Sequence, residues 1–166
     1  MKNLVIGQSG GPTAVINASL YGAVKAFRES GADGHVLGMI NGIEGFLADH
    51  VMDLSTDLSD EELELLKLTP AAYLGSCRYK LPADLDSEVY PAIFDNFREM
   101  NIGYFLYVGG NDSMDTVDKL SRYAEKLGSD VKFIGIPKTI DNDLVLTDHT
   151  PGFGSAAKYV ASTVRE

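Results

Sequence analysis

The sequence predicts an α/β protein built on a mainly parallel sheet, and two observations support this expectation. Apolar runs of strand length recur at residues 4–6, 35–40, 102–108 and 131–136, and helical patterns alternate with them. Most strands are joined to the following helix by a short turn, which allows that helix to cross back over the sheet. We therefore expect a Rossmann-like three-layer sandwich, with the mainly parallel sheet in the middle and helices on both faces.

Helical periodicity predicts the segments between the strands. Four helices are expected at residues 14–28, 88–100, 114–127 and from about 155 to 166. A short helix is also expected here, because residues 59–62 read SDEE and form a capping box ahead of Leu63, Leu65, Leu66 and Leu68. Residues 41–45 are expected to form a turn. The last helical pattern runs to Glu166 with no strand after it, so we expect the sequence to be part of a longer protein.

Composition excludes several classes of function. The 166 residues, 45% of them hydrophobic, suffice for one domain with its own core, and the net charge of -10 argues against nucleic acid and anionic membranes as partners. A single cysteine, Cys77, excludes an internal disulfide and multi-cysteine metal sites, which favours a reducing compartment. No stretch approaches the ~20 apolar residues of a membrane span, and the first residues lead directly into a strand, so a cytoplasmic protein is expected.

Two carboxylates follow the fourth predicted strand. Asp141 and Asp143 are one residue apart, with Lys138 and Thr139 just before them. Ligands in open α/β sheets bind at the carboxyl ends of strands, and side chains two apart in an extended loop point the same way. The two acids could therefore converge, as a general base and as an acceptor for a sugar or a metal. The same residue types also form ordinary turns, so the structural interpretation stays open.

Glycine-rich turns follow the first and third predicted strands. Residues 7–13 read GQSGGPT and residues 109–113 read GGNDS, each ahead of a predicted helix. This arrangement directs free backbone N–H groups and the positive end of a helix toward an anion. Neither turn matches the dinucleotide or P-loop fingerprints. A tight turn explains the first equally well, and ordinary helix capping by Asn111, Asp112 or Ser113 explains the second.

A third segment, residues 74–80, concentrates positive charge in an otherwise acidic protein. It reads LGSCRYK, in which Arg78 could hold a phosphate through a forked pair of hydrogen bonds. The alternative is a surface loop in which Arg78 and Lys80 are merely solvated. Cys77 is expected to be a small packing residue rather than a nucleophile, because no histidine lies near it in sequence.

Taken together, these motifs resemble those of the phosphofructokinase family. The matching segments are Gly10-Gly11, residues 74–78 (LGSCR), residues 109–113 (GGNDS) and residues 139–143 (TIDND). The resemblance covers essentially the whole sequence and corresponds to the amino-terminal part of the family. Residues 152–157 (GFGSAA) look like the pyrophosphate-using branch. Asp112 and Lys138 also point to that branch, because members that use ATP usually have glycine at both positions.

The resemblance implies a role for each of these residues. Asp141 would take the proton from the 1-hydroxyl of fructose 6-phosphate as that oxygen attacks pyrophosphate, and Thr139 and Asp143 would hold the sugar. The phosphate donor would contact six residues: Gly10, Gly11, Arg78, Gly110, Asp112 and Ser113. The carboxylate of Asp112 would exclude the α-phosphate of ATP by charge and by bulk, and Lys138 would stabilise the transferring phosphoryl group. Asp141, Lys138 and Asp112 are thus the expected catalytic set.

Magnesium is the metal that the resemblance implies, bridging the donor oxygens. The family usually has Asp where this sequence has Asn111, so Asn111 is the expected metal-side residue, with Asp112 or Asp141 sharing that work. The resemblance also implies a homo-oligomer when full length, a near-balanced glycolytic reaction, and a sugar-phosphate domain that lies beyond residues 1–166. We therefore expect these residues alone to have little or no activity.

Other functions remain compatible with the sequence. An ATP-dependent phosphofructokinase could tolerate Asp112 and Lys138, and turnover with the two donors would separate these cases. A phosphate-sensing domain that lost the reaction is a second alternative, and keeping its biological role in Asp141→Asn would favour it. The NAD kinase or lipid kinase group shares a similar donor loop, but the TIDND run speaks against that group.

Overall fold

The chain forms a five-stranded sheet with helices on both sides. The computed structural model describes residues 2–166, and of Ala14 it describes only the backbone. The strands are β1 (Asn3–Gln8), β2 (Val36–Met39), β3 (Val51–Asp53), β4 (Ile102–Gly109) and β5 (Lys132–Pro137). The helices are α1 (Ala14–Glu29), α2 (Gly42–Leu47), α3 (Asp60–Leu66), α4 (Val89–Glu99), α5 (Asn111–Leu127) and α6 (Phe153–Arg165).

The sheet is mainly parallel, which confirms the predicted fold class. Its strand order is β3-β2-β1-β4-β5. β1 pairs in parallel with β2 and β4, and β4 pairs in parallel with β5, whereas β3 is antiparallel to β2. The chain thus adds β2 and β3 next to one edge of β1, and later adds β4 and β5 next to its other edge. This reversal between β1 and β4 is a topological switch point, where α/β proteins usually bind their ligands.

Two separate hydrophobic clusters cover the two faces of the sheet. Because side chains alternate along a strand, Val5 of β1 belongs to one cluster, and Leu4 and Ile6 belong to the other. Helices α2, α4 and α5 contribute to the first cluster, and α1 and α3 contribute to the second. The first cluster is rich in aromatic rings, with Phe94, Phe97 and Phe105 among its buried members. The helices that follow β1 and β4 therefore lie on opposite faces, which leaves a crevice between them.

Local sequence signals account for most of the boundaries, with three exceptions. The capping box is confirmed, because the Ser59 hydroxyl accepts from the Glu62 amide at 3.2 Å and the Glu62 carboxylate accepts from the Ser59 amide at 2.9 Å. The expected turn at residues 41–45 was wrong, since α2 begins at Gly42 after a left-handed Asn41 (φ 59°). Strand β3 was not predicted. Helix α5 begins at Asn111, three residues earlier than expected.

Helix α6 is amphipathic, and most of its apolar side chains are exposed. None of its residues is buried, and Val160 and Val164 are 57% and 80% exposed. Within residues 2–166 no helix combines the length and the apolar character needed to cross a membrane.

Candidate active site

The loops that follow β1, β4 and β5 meet at one edge of the sheet, and backbone hydrogen bonds hold them together. The Ser9 amide donates to the Val108 carbonyl at 3.0 Å, and the Lys138 amide donates to the Gly109 carbonyl at 2.9 Å. The Ser9 and Ser113 hydroxyls also hydrogen-bond to each other at 2.6 Å, both in buried positions. The three separate motifs are therefore parts of one site, as the parallel sheet predicts.

Two clefts open at this edge. The acid cleft, of about 290 Å³, is lined by Thr139, Asp141 and Asp143. The arginine cleft, of about 330 Å³, is lined by Gly10, Arg78, Asp112 and Ser113. Four residues line both clefts: Gly11, Gly110, Asn111 and Lys138. All eleven residues singled out from the sequence thus lie in one or both clefts, and their chemical roles remain predictions.

Lys138 is the cation between the two clefts. Its side chain is only 9% exposed, and its ammonium donates to the carbonyl oxygen of Gly11. Burial lowers the pKa of Lys138 below its ordinary value of 10.5, and the positive charge of Arg78 lowers that pKa further. An anion next to Lys138 would favour its charged form and so offset both effects.

The lowered pKa of Lys138 predicts a pH dependence of stability. Between that pKa and 10.5 the unfolded chain binds more protons than the folded chain, so the free energy of unfolding contributed by Lys138 rises with pH across this window. Other groups titrate in the same range, so we expect urea titrations to show a more positive slope of unfolding free energy against pH in the wild type than in Lys138→Met. Lys132→Met, at the exposed opposite end of β5, controls for removal of a lysine and should keep the wild-type slope. The same slope in wild type and Lys138→Met would contradict the prediction.

Asp112 has a partner that the sequence did not indicate. Its carboxylate lies in the first turn of α5 and pairs with the Lys80 ammonium at 3.2 Å, with both side chains more than 70% exposed. Such an exposed pair contributes only ~0–1 kcal/mol to stability. It nevertheless offsets part of the negative charge that Asp112 presents to the arginine cleft.

Two groups that were predicted to contact the phosphate donor are hydrogen-bonded within the protein instead. The Ser113 hydroxyl is bonded to Ser9, and a Cβ on Gly109 would overlap the Ser113 side chain, which explains the glycine there. The Gly10 amide donates to the Cys77 carbonyl at 3.1 Å. The Ser113 hydroxyl therefore joins the start of α5 to the loop after β1, and the Gly10 amide joins that loop to the Arg78 loop. The buried position of Cys77, 6% exposed, agrees with the predicted packing role.

Sequence reasoning missed the residues that fix the Arg78 loop. Gln8 and Asn17 are fully buried, and the Gln8 amide donates to the Asn17 side-chain oxygen at 2.9 Å. The Leu74 amide donates to the Gln8 side-chain oxygen at 2.9 Å, and the Tyr73 amide donates to the Asn17 side-chain oxygen at 2.8 Å. Buried amides of this kind are costly unless they are fully bonded. The pair therefore holds residues 73–74, and with them the start of the loop that carries Arg78.

The acid loop is a turn rather than the extended segment on which the predicted convergence rested. Asn142, between the two acids, has a left-handed backbone (φ 59°), so alternation of extended side chains does not apply. The Thr139 hydroxyl accepts from the Asp141 amide at 3.0 Å, which fixes the start of the turn. Asp141 and Asp143 are exposed and line the same cleft. The two acids share one cleft through this turn.

The fold and the two clefts define an α/β domain that is suited to binding an anion beside a pair of carboxylates. The chain belongs to the phosphofructokinase family, whose sequence model matches residues 3–166. This confirms the family indicated by the motifs. This chain is 46% identical to the pyrophosphate–fructose 6-phosphate 1-phosphotransferase of Halomonas elongata. The alignment covers 99% of this chain and 39% of that protein. Identity to the enzyme of the same name from Methylococcus capsulatus is also 46%, over 99% of this chain and 40% of that protein.

A solved structure gives the same result at the level of the fold. The crystal structure of the pyrophosphate-dependent phosphofructokinase from Nitrosospira multiformis matches with a TM-score of 0.88 and 44% identity. The match covers 98% of this chain and 40% of that chain. The chain therefore spans about two fifths of the length of the relatives that it matches.

Proposed function

We propose that the complete protein transfers a phosphoryl group from pyrophosphate to the 1-hydroxyl of fructose 6-phosphate, giving fructose 1,6-bisphosphate and phosphate. The observation that carries this proposal is Lys138, a buried cation that is shared by the cleft of Asp141 and the cleft of Arg78. The names of the two relatives at 46% identity support the choice of substrates. In this proposal residues 1–166 form the donor-binding domain, and the sugar-phosphate domain lies outside them.

On the acceptor side, Asp141 takes the proton of the 1-hydroxyl as its oxygen attacks the terminal phosphorus of pyrophosphate. The new oxygen–phosphorus bond forms while the bond to the bridging oxygen breaks, so phosphate leaves with that electron pair. Thr139 and Asp143 bind hydroxyl groups of the sugar from the same cleft. This assignment is supported by the common cleft that the three side chains line.

On the donor side, Lys138 and Arg78 bind the pyrophosphate oxygens and stabilise the charge that develops on the leaving phosphate. Gly11 and Gly110 let the donor approach the backbone where the two clefts join. Asp112 stands at the beginning of α5, where the α-phosphate of ATP would otherwise meet the positive end of the helix. A bare diphosphate does not need that position, so Asp112 selects against the nucleotide.

Magnesium is the proposed metal cofactor, and the residues present fit it. Asn111 lines both clefts and offers a side-chain carbonyl oxygen, and Asp141 offers a carboxylate in one of them. Residues 2–166 contain no group of three or more acidic, histidine or cysteine side chains that could hold a metal ion. Magnesium does not require such a group, since it commonly binds one or two protein oxygens together with substrate phosphates. When bound, the ion would neutralise charge on pyrophosphate.

The proposed setting is cytoplasmic glycolysis, with the reaction running in either direction and the complete protein assembling as a homo-oligomer. The strongly acidic composition argues against nucleic acid as a partner, and the small anionic substrates are proposed to bind where Lys138 and Arg78 concentrate positive charge.

Comparing donors and chain lengths tests this function. With fructose 6-phosphate as acceptor, we expect the full-length enzyme to turn over pyrophosphate at least ~100-fold faster than ATP, since one buried charge contact to the reacting group is worth roughly 10²–10³ in rate. Residues 1–166 alone should show less than ~1% of that rate, because positioning of the sugar phosphate is lost. Equal rates with the two donors would favour the ATP-dependent alternative, and full activity of residues 1–166 would contradict the domain assignment.

A further inference from the structure

Asn142 lies between the two acids and bonds to the far end of their loop. Its side-chain amide donates to the Asp148 carbonyl at 3.2 Å, and its side-chain oxygen accepts from the Thr150 amide at 2.8 Å. Both hydrogen bonds are local in sequence, and together they close the loop of residues 143–149. One side chain thus sets the distance between the acid pair and residue 150.

Thr150 is the buried end of this contact. It is fully buried, although the residues immediately before it are exposed. Its carbonyl accepts from the Phe153 amide at 3.2 Å, which joins it to the beginning of α6. On the other side, the acids are fixed by the Thr139–Asp141 contact and by the bond from the Lys138 amide to Gly109. The acid turn is therefore anchored both before and after Asn142.

Asparagine meets three requirements at this position: a left-handed backbone, a side-chain donor for Asp148 and a side-chain acceptor for Thr150. The left-handed backbone at φ 59° is unfavourable for most residues but tolerated by asparagine, aspartate and glycine. Glycine would supply neither hydrogen bond. Aspartate would keep the acceptor for Thr150 but lose the donor to Asp148, and would place a third negative charge in the turn.

We propose that Asn142 is a positioning residue that holds Asp141 and Asp143 in their reactive arrangement, an inference that rests on the proposed phosphoryl transfer. Asn142 itself does not contact the reacting atoms. Its effect is transmitted through the backbone of the turn, so it should influence the step in which the acids take part and leave donor binding nearly unchanged.

Kinetics of the full-length enzyme test this role. We expect Asn142→Gly and Asn142→Ala to lower kcat by about 10- to 100-fold, since a misplacement of ~1 Å can cost ~10²-fold. The KM for pyrophosphate should stay within ~3-fold, because most donor contacts come from other loops and Lys138 is held ahead of the turn by its amide bond to Gly109. Asn142→Asp, which keeps one of the two bonds, should lie between them and the wild type. Normal kcat in Asn142→Gly with a loss only in Asn142→Ala would mean that backbone strain alone matters, and would overturn the proposal.

A second measurement separates this inference from the proposed function. Amide hydrogen exchange of Thr150 should become at least ~10-fold faster in Asn142→Gly, because its acceptor is lost. Leu146→Gly is the matched control, since Leu146 is also left-handed (φ 60°) in the same loop and fully exposed. It should leave Thr150 protected. A wild type that cannot use pyrophosphate would refute the proposed function, whereas unchanged Thr150 exchange in Asn142→Gly would refute the role of Asn142.

Discussion

Replacing Asp141 by asparagine should lower the kcat of the full-length enzyme by about 10²- to 10⁴-fold, the range that a general base contributes. The substitution keeps the size of the side chain and its place in the acid cleft, but an amide cannot accept the proton of the sugar hydroxyl. The KM for pyrophosphate should change little. The measurement is steady-state turnover of fructose 6-phosphate with saturating pyrophosphate and magnesium.

Asp148→Asn is the matched control for this experiment. Asp148 lies in the same loop as Asp141 and is also exposed, but it does not line either cleft. Removing its charge should leave kcat within ~2-fold, as expected for a surface substitution. A loss below ~10-fold in Asp141→Asn would rule out Asp141 as the general base.

Changing Asp112 and Lys138 together to glycine should shift the choice of phosphoryl donor. We expect the ratio of kcat/KM for pyrophosphate to that for ATP to fall by about 10³-fold. Loss of the Lys138 charge removes ~3–4 kcal/mol of stabilisation from the pyrophosphate reaction, while loss of Asp112 frees the first turn of α5 for a nucleotide phosphate. The measurement is kcat/KM for each donor at fixed fructose 6-phosphate and magnesium.

Two further variants separate the physical contributions to donor choice. Lys138→Met keeps most of the buried volume and should lose pyrophosphate turnover as strongly as Lys138→Gly does, if charge rather than packing matters. Lys80→Ala removes the partner of Asp112 and leaves its full negative charge at the arginine cleft, so turnover with ATP should fall further. An unchanged donor ratio in the double variant would contradict the electrostatic account of this site.

The parts of the fold that the sequence predicted depend on local signals. Strands β1 and β4 are continuous apolar runs, and α3 begins with a capping box that can be identified within four residues. The site could be located for a related reason. Parallel strands bring their carboxyl ends to one edge, so motifs that follow different strands must meet there once the sheet is mainly parallel.

The parts that were missed depend on contacts between distant segments. Strand β3 has three residues and exists through pairing with β2, so its own sequence carries little signal. The burial of Gln8 beside Asn17 and the pairing of Lys80 with Asp112 both join segments that are separate along the chain. The acid turn was misjudged because its left-handed residue is asparagine, whose backbone conformation is not fixed by residue type alone.

The division of the site into two clefts has a consequence for how such a protein can diverge. Arg78 and Asp112 border only the arginine cleft, whereas Thr139 and Asp143 border only the acid cleft. Under the proposed function, substitutions at the first pair should therefore change the choice of phosphoryl donor and leave binding of the sugar unchanged. Lys138 borders both clefts, so a substitution there should affect both substrates at once.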